Sequence, residues 1–293
     1  MNCPLCGKRN DAAFTVFTQE RKGKRETQAL RCSDCGLVYL MDYQDDRQHL
    51  YDGDYGAWGG DDADLERMVA KAKRQAFRRQ LRHLQAFLSE GRTRLLDVGT
   101  GNGYLLDVAV ELGLEAHGVE LSAEASAKAS LRHPGKIRVG TLEAAAYADG
   151  SFDVVAMTDI IEHIADPLTF FAEVARILRP GGLVFIITPN ADSLTRKALG
   201  RHWFQYKYEH VLYWNPSSLT RLFDRSGFRT LLLRRNSKVF TLSYYHEYFR
   251  KYSFLPPLDR IFLALYRFLP SIIKDAPIMN PVTGEMLVIA EKT

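Results

Sequence analysis

"LLDVGTGNGYLL", residues 95–106, runs from an apolar segment through Gly99, Gly101 and Gly103 and back into apolar residues. That is the layout of a strand, a tight turn and the first turn of a helix, where backbone N–H groups are left to meet a ligand. A dinucleotide turn is spaced G-x-G-x-x-G and docks a pyrophosphate. Here the spacing is G-x-G-x-G, and Asp97 stands two residues before the first glycine. A carboxylate there repels a pyrophosphate and favours a ligand carrying an ammonium and a sulfonium, which points to S-adenosylmethionine. Glu120 closes the next strand candidate in "HGVELS", where an acid can accept hydrogen bonds from both ribose hydroxyls. A ligand-free strand-to-helix turn is the plain alternative for the glycines taken alone.

Outward from this stretch, strands and helices alternate. Strand candidates are "RLLDVG" (94–99), "EAHGVEL" (115–121), "IRVGT" (137–141), "FDVVAMT" (152–158), "GLVFIIT" (182–188), "FRTLLLRR" (228–235) and "EMLVIAEK" (285–292). Helical patterns separate the first five, such as "YLLDVAVELG" and "PLTFFAEVARILRPGG", the latter stopping at Pro180-Gly181-Gly182. Such alternation predicts an α/β fold with a mostly parallel sheet covered by helices on both faces. A further helical pattern runs from Leu65 to Leu88, and residues 41–64, rich in Asp, Gly and Tyr, read as a linker.

All four cysteines fall in the first 35 residues, as Cys3-Pro-Leu-Cys6 and Cys32-Ser-Asp-Cys35. A C-x₂-C pair sets two thiolates at adjacent corners of a tetrahedron, and Gly7 and Gly36 let the backbone wrap the ion. Two such pairs predict a closed Cys₄ zinc ribbon with a structural metal, the intervening segment forming a hairpin with Gly23 in its turn. The rival readings are disulfides and a redox motif. "MNCPLCGKRN" has no apolar core of a signal peptide, which disfavours the first, and the duplicated spacing disfavours the second. No apolar run reaches the roughly 20 residues that span a bilayer, so the expected location is cytoplasmic.

The 293 residues carry a formal charge of +4, with 46% hydrophobic and 25% charged residues, an ordinary globular mixture. The charge is uneven. Residues 191–293 hold 16 Lys and Arg against 8 Asp and Glu, and 18 of the 33 aromatic residues. That third of the chain should meet something anionic, flat or partly greasy, with Trp203, Tyr206, Tyr213 and Trp214 as candidate stacking rings.

These motifs resemble the class I S-adenosylmethionine-dependent methyltransferases, and among them those with an N-terminal zinc ribbon. "LLDVGTGNGYLL" looks like the family's first motif, "GVELS" like its acidic strand end, and "GSFDVVAMTDIIEHIADP" like its fourth strand and following segment. "ARILRPGGLVFIITPN" and "EHVLYWNPSSLTRLFDRSGFR" resemble the approaches to its fifth and sixth strands. The resemblance implies a Rossmann-like sheet of seven strands, the last antiparallel, plus the small ribbon. It divides the chain into a ribbon (1–40), a linker with N-terminal helices (41–90) and a methyltransferase domain (91–293) with a substrate lid near 240–283. It implies cofactor contacts from Asp97, Gly99, Thr100, Gly101, Asn102, Gly103, Glu120, Leu121 and Thr158, with Tyr51 and Tyr55 covering the methionine end. Zinc would be held by Cys3, Cys6, Cys32 and Cys35. Two departures stand out: Thr100 replaces the Cys or Ser of many relatives, and Thr141 replaces the usual acid, so adenine recognition falls to Leu142 and Glu143.

Methyl transfer is an in-line displacement in which positioning supplies much of the rate. A hydroxyl nucleophile also needs a proton acceptor, and histidine titrates near neutrality. His163 in "IIEHI" and His210 in "YKYEHVLYW" lie at strand ends where open sheets bind ligands; for each, a histidine that only packs its loop is the alternative. The expected function is methyl transfer to a small-molecule or biosynthetic intermediate, such as a sugar, quinone-like or lipid-linked compound. The rivals are an RNA methyltransferase using the ribbon to bind RNA, and a non-catalytic binding module on the same scaffold. In "LDRIFLALYRFLP" (258–270), Leu258, Ile261, Phe262, Leu265 and Leu269 share a helix face, which reads as core, a lid or a membrane-surface contact.

Overall fold

The computed structural model of the protein describes residues 1–20, 23–43, 63–91, 93–251, 256–276 and 278–293. Two sheets organise them. The first begins with strands β1 (Ala13–Glu20), β2 (Gly23–Arg31) and β3 (Val38–Leu40). Gly23 opens β2 opposite Glu20, so it belongs to the strand and not to the turn expected for it. Helix α1 (Ala63–Gln85) follows, ending three residues short of the pattern read to Leu88.

The alternating part then runs β4 (Arg94–Val98), α2 (Tyr104–Glu111), β5 (Glu115–Glu120), α3 (Ala123–Arg132), β6 (Ile137–Val139), β7 (Phe152–Thr158), α4 (Pro167–Ile177) and β8 (Leu178–Pro189). It continues with α5 (Leu194–Leu199), β9 (Leu212–Tyr213), α6 (Pro216–Ser226) and β10 (Phe228–Phe240). Helices α7 (Leu242–Lys251), α8 (Pro256–Tyr266) and α9 (Ser271–Lys274) lead to β11 (Ile278–Lys292). Seven strands form the large sheet in the order β10-β11-β8-β7-β4-β5-β6. All are parallel except β11, which lies antiparallel between β8 and β10. This is the expected α/β class with its antiparallel last strand.

Strand alternation divides the core in two. Leu95, Val154, Ala156, Phe185 and Ile289 face the cluster built with α1 and α2 through Leu81, Leu84, Leu105 and Leu106. Leu96, Val155, Met157, Ile186 and Val288 face the opposite cluster with Phe170, Phe171, Leu219 and Phe223 of α4 and α6. Burial on both faces explains why these strands read as continuous apolar runs. β4 thus sits near the middle of the sheet, and the glycine turn leaves from its C-terminal end.

The small sheet is completed from far along the chain, in the order β1-β2-β3-β9. Val38 pairs with Tyr213 and Tyr39 with Leu212. Trp203, Tyr206, Tyr213 and Trp214 are at most 1% exposed. Three of them pack with Val16, Ala29, Val38 and Leu40 of the ribbon. They are core, not the exposed stacking rings expected, because β9 needed a β-strand partner and the ribbon supplies it. Among the described residues no helix is long and apolar enough to cross a membrane.

Candidate active site

The turn after β4 is built by three left-handed glycines, with φ of 70° at Gly99, 50° at Gly101 and 79° at Gly103. Only glycine takes these angles without strain. A methyl group on Gly99 would also overlap Ile160 Cδ1, and one on Gly103 would come within 3.1 Å of Ala129 Cβ in α3. The N–H groups of Gly99 and Thr100 donate to the Val119 carbonyl at 2.8 and 3.2 Å, which ties the turn to β5.

Two buried carboxylates define the floor. Asp97 is 1% exposed; Thr100 Oγ1 donates to its Oδ2 at 2.9 Å. Its Oδ1 is buried with no hydrogen-bond partner among the described residues. Burial pushes the Asp97 carboxyl up to about 7; the Thr100 bond and Lys73 oppose this and the Glu120 charge adds to it. Glu120 accepts from Gly101 N–H at 2.7 Å through Oε2 and from Ser122 N–H at 2.8 Å through Oε1. Burial raises its pKa too, against the pull of those backbone bonds. A buried acid with an unsatisfied oxygen is costly unless a cation completes it. The ammonium of S-adenosylmethionine is of that kind, and each Glu120 oxygen keeps a second lone pair for a ribose hydroxyl.

Other expected positions surround this floor. Asn102 is half-buried beside Tyr104, and Arg132 donates to its carbonyl. Leu121 and Thr158 are half-buried at the ends of β5 and β7. Leu142 is buried in the core, whereas Glu143 is exposed beside it. Thr141, in place of an acid, accepts from Ala144 N–H at 3.2 Å and so shapes this turn. Tyr51 and Tyr55 lie outside the described residues.

The two histidines, weighed separately from the sequence, meet in space. After β7 the chain passes through Asp159, held at φ 57°, to Ile160 against Gly99, then into a single 3₁₀ turn, Ile161–His163. His163 Nδ1 donates to the Glu209 carbonyl at 2.9 Å, and His210 Nδ1 donates to the Gln205 carbonyl at 3.1 Å. Each bond leaves Nε2 as the basic nitrogen. The rings stand edge to face, 4.8 Å between centroids. Burial holds His163 below the usual histidine pKa, so it is neutral at pH 7. Glu162, fully buried, joins them; its Oε2 accepts from Thr188 Oγ1 at 2.9 Å. Ligand atoms of Glu162, His163 and His210 lie within 4.8 Å of one another, a set that can share a proton or hold a cation. Glu162 was missed in the sequence; the signal was an acid inside the apolar run "DIIEHI".

The cysteines form a second cluster, with all four Sγ atoms within 4.8 Å of one another. Cys3 and Cys35 lie 3.6 Å apart and Cys6 and Cys32 3.5 Å, near the edge of a ZnS₄ tetrahedron. Both knuckles fold alike: Gly7 N–H donates to the Cys3 carbonyl and Gly36 N–H to the Cys32 carbonyl, with φ of 79° and 76° at the glycines.

This geometry agrees with what the chain is similar to. The profile of the family described as "Methyltransferase domain" matches residues 70–233. The chain belongs to the class I S-adenosylmethionine-dependent methyltransferases. A curated relative, the ubiquinone biosynthesis O-methyltransferase of Parvibaculum lavamentivorans, is 37% identical over 130 residues, covering 42% of this chain and 49% of the relative. The protein of that name from Thiobacillus denitrificans is 31% identical over 150 residues, 47% of this chain and 65% of its own length. The methyltransferase thus spans about half to two thirds of these relatives. Among solved structures, an Archaeoglobus fulgidus S-adenosylmethionine-dependent methyltransferase superposes with a TM-score of 0.51 at 18% identity, covering 79% of this chain and all of that one. A chain from the complex of the Haloferax volcanii Trm112 methyltransferase activator with a methyltransferase gives 0.53 at 18%, covering 80% and 96%. At such identities the likeness is one of fold.

Proposed function

We propose that this methyltransferase moves a methyl group from S-adenosylmethionine to a hydroxyl of a small, quinone-like acceptor. The observation that carries this reading is the contact of Ile160 with Gly99, which brings the segment carrying Glu162 and His163, clustered with His210, up to the cofactor turn. The names of the curated relatives support a quinone-like hydroxyl acceptor.

Asp97 would hold the cofactor's ammonium and Glu120 its ribose, on a turn of Gly99, Thr100, Gly101, Asn102 and Gly103. Leu121, Leu142, Glu143 and Thr158 would border the adenosine. When bound, S-adenosylmethionine supplies an electrophilic methyl group on a sulfonium. His163 Nε2 takes the proton of the acceptor hydroxyl, with its Nδ1–H fixed on the Glu209 carbonyl. The buried Glu162 stabilises the imidazolium so formed. His210 positions His163 through their ring contact. The four cysteines hold one structural zinc ion, and a reducing compartment such as the cytoplasm keeps them available to it.

Incubation with methyl-labelled S-adenosylmethionine and either catechol-type phenols or total RNA tests the reading. Label should enter the phenols and be lost in His163→Ala. Label confined to RNA, or in neither, would overturn it.

A further inference from the structure

The helices between β10 and β11 lie outside the matched family region, residues 70–233. β10 runs parallel to β8 and β4, and β11 runs back. The α7–α9 segment therefore leaves and re-enters the sheet at the end that carries the glycine turn and the histidines.

This segment is unusually greasy on its outside. Of the thirteen exposed large hydrophobic side chains among the described residues, six fall between Ile261 and Ile278. Ile261 and Leu265, one turn apart on α8, Phe268 in the turn that follows and Ile272 on α9 have exposures of 56, 61, 72 and 81%. Beneath them, Phe262 packs edge-on against Phe249 of α7, so the outward face is the one left without a partner among the described residues.

Its exposed charges are mainly cationic. Arg260 on α8 and Arg267 in the turn after it are exposed and Lys274 ends α9; the Arg267 guanidinium lies 4.6 Å over the Phe268 ring and the Lys274 ammonium 4.7 Å over Tyr266. Of the acids, Asp259 is buried, Glu247 pairs with Arg250 at 3.0 Å, and Asp275, the one exposed carboxylate beside α9 among the described residues, accepts from Ser243 Oγ at 2.6 Å. Apolar side chains rimmed by exposed cations complement an anionic lipid surface. A two-fold contact between copies would instead bring two sets of the same cations into one interface.

We propose that α8 and α9 dock the protein on an anionic membrane surface, with the active-site end of the sheet toward the lipid. The docking itself needs no cofactor. Its link to catalysis, delivery of an acceptor that carries a lipid tail, rests on the methyl-transfer reading above.

The test is co-sedimentation of the full chain, without cofactor, with phosphatidylcholine vesicles with or without phosphatidylglycerol. Binding should require phosphatidylglycerol and weaken as salt shortens the screening length from about 8 Å at physiological ionic strength to about 3 Å at 1 M. Phe268→Ser with Ile272→Ser should lower partitioning about tenfold or more, and Arg260→Glu with Arg267→Glu should do the same by charge. Both double variants should keep S-adenosylmethionine affinity, measured separately by calorimetry, which distinguishes a failure of docking from a failure of the cofactor reading. Wild-type protein that stays in the supernatant, or variants that sediment undiminished, would overturn the proposal. So would a concentration-dependent dimer abolished by the serine variant.

Discussion

Asp97 is where sequence, energetics and ligand chemistry meet. Its carboxyl, raised to about 7 by burial, favours the protonated form in the empty protein. Its contribution to stability is therefore full below the unfolded carboxylate pKa, near 3.8, and is lost as pH rises through about 7. A bound cation reverses the preference, so binding must remove a proton below pH 7. S-adenosylmethionine affinity should be flat above about pH 7 and fall by about tenfold per unit below it, as read by calorimetry across pH. Asp97→Asn should raise the melting temperature of the empty protein at pH 8, by roughly 1–3 kcal/mol of stability, while weakening the cofactor. An Asn variant that bound normally would remove Asp97 from the ligand's side. Asp97 and the three glycines were legible because backbone angle and charge are local demands. Glu162 was not, since an acid in an apolar run says nothing of the partner, Thr188, that makes its burial tolerable.

At the level of elements, strands were readable to within a few residues wherever both faces were buried. The ends were not: β8 begins at Leu178, straight after α4, with its register to β7 shifting between Phe152 and Val154. The larger error concerned the aromatic stretch 203–214. Composition marked it as sticky but could not reveal β9, whose partner β3 lies some 170 residues earlier. His210 lies within that stretch and His163 ends the turn after β7, so the proposed catalytic pair depends on two elements holding register. His163→Ala should lower turnover by roughly 10²–10⁴ with cofactor affinity intact. Because burial holds its pKa below the usual value, wild-type turnover should be maximal at neutral pH and decline only on the acid side of the ordinary histidine range. A rate unchanged in the variant would assign the work to positioning alone.

Across the whole molecule, the ribbon is joined to the catalytic part by more than chain connectivity. Asn215, which caps α6 through a reciprocal bond with Ser218, also donates its Nδ2 to the Gly36 carbonyl at 2.9 Å. Arg225 reaches the Leu5 carbonyl, Arg221 pairs with Asp34 at 3.3 Å, and Arg31 pairs with Asp192 at 2.8 Å. Most telling, β3 pairs with β9, the Leu40 N–H donates to the Val211 carbonyl, and the Val211 N–H donates to the Glu162 carbonyl. One backbone ladder thus runs from the cysteine knuckles to the histidine cluster. Metal in a Cys₄ site is folding free energy for the segment around it. Stripping zinc with a chelator should therefore do more than melt residues 1–40. The loss of β3 would uncover Trp203 and Trp214, both now fully buried, and loosen the loop carrying His210. Tryptophan emission should shift to the red and turnover should drop about tenfold or more. S-adenosylmethionine affinity should hold, because Asp97 and Glu120 sit on β4 and β5, strands that do not hydrogen-bond to the ribbon's sheet. Restoring zinc should restore both signals. If the metal leaves while emission and turnover stay as they were, the ribbon is an independent appendage and the ladder carries no coupling.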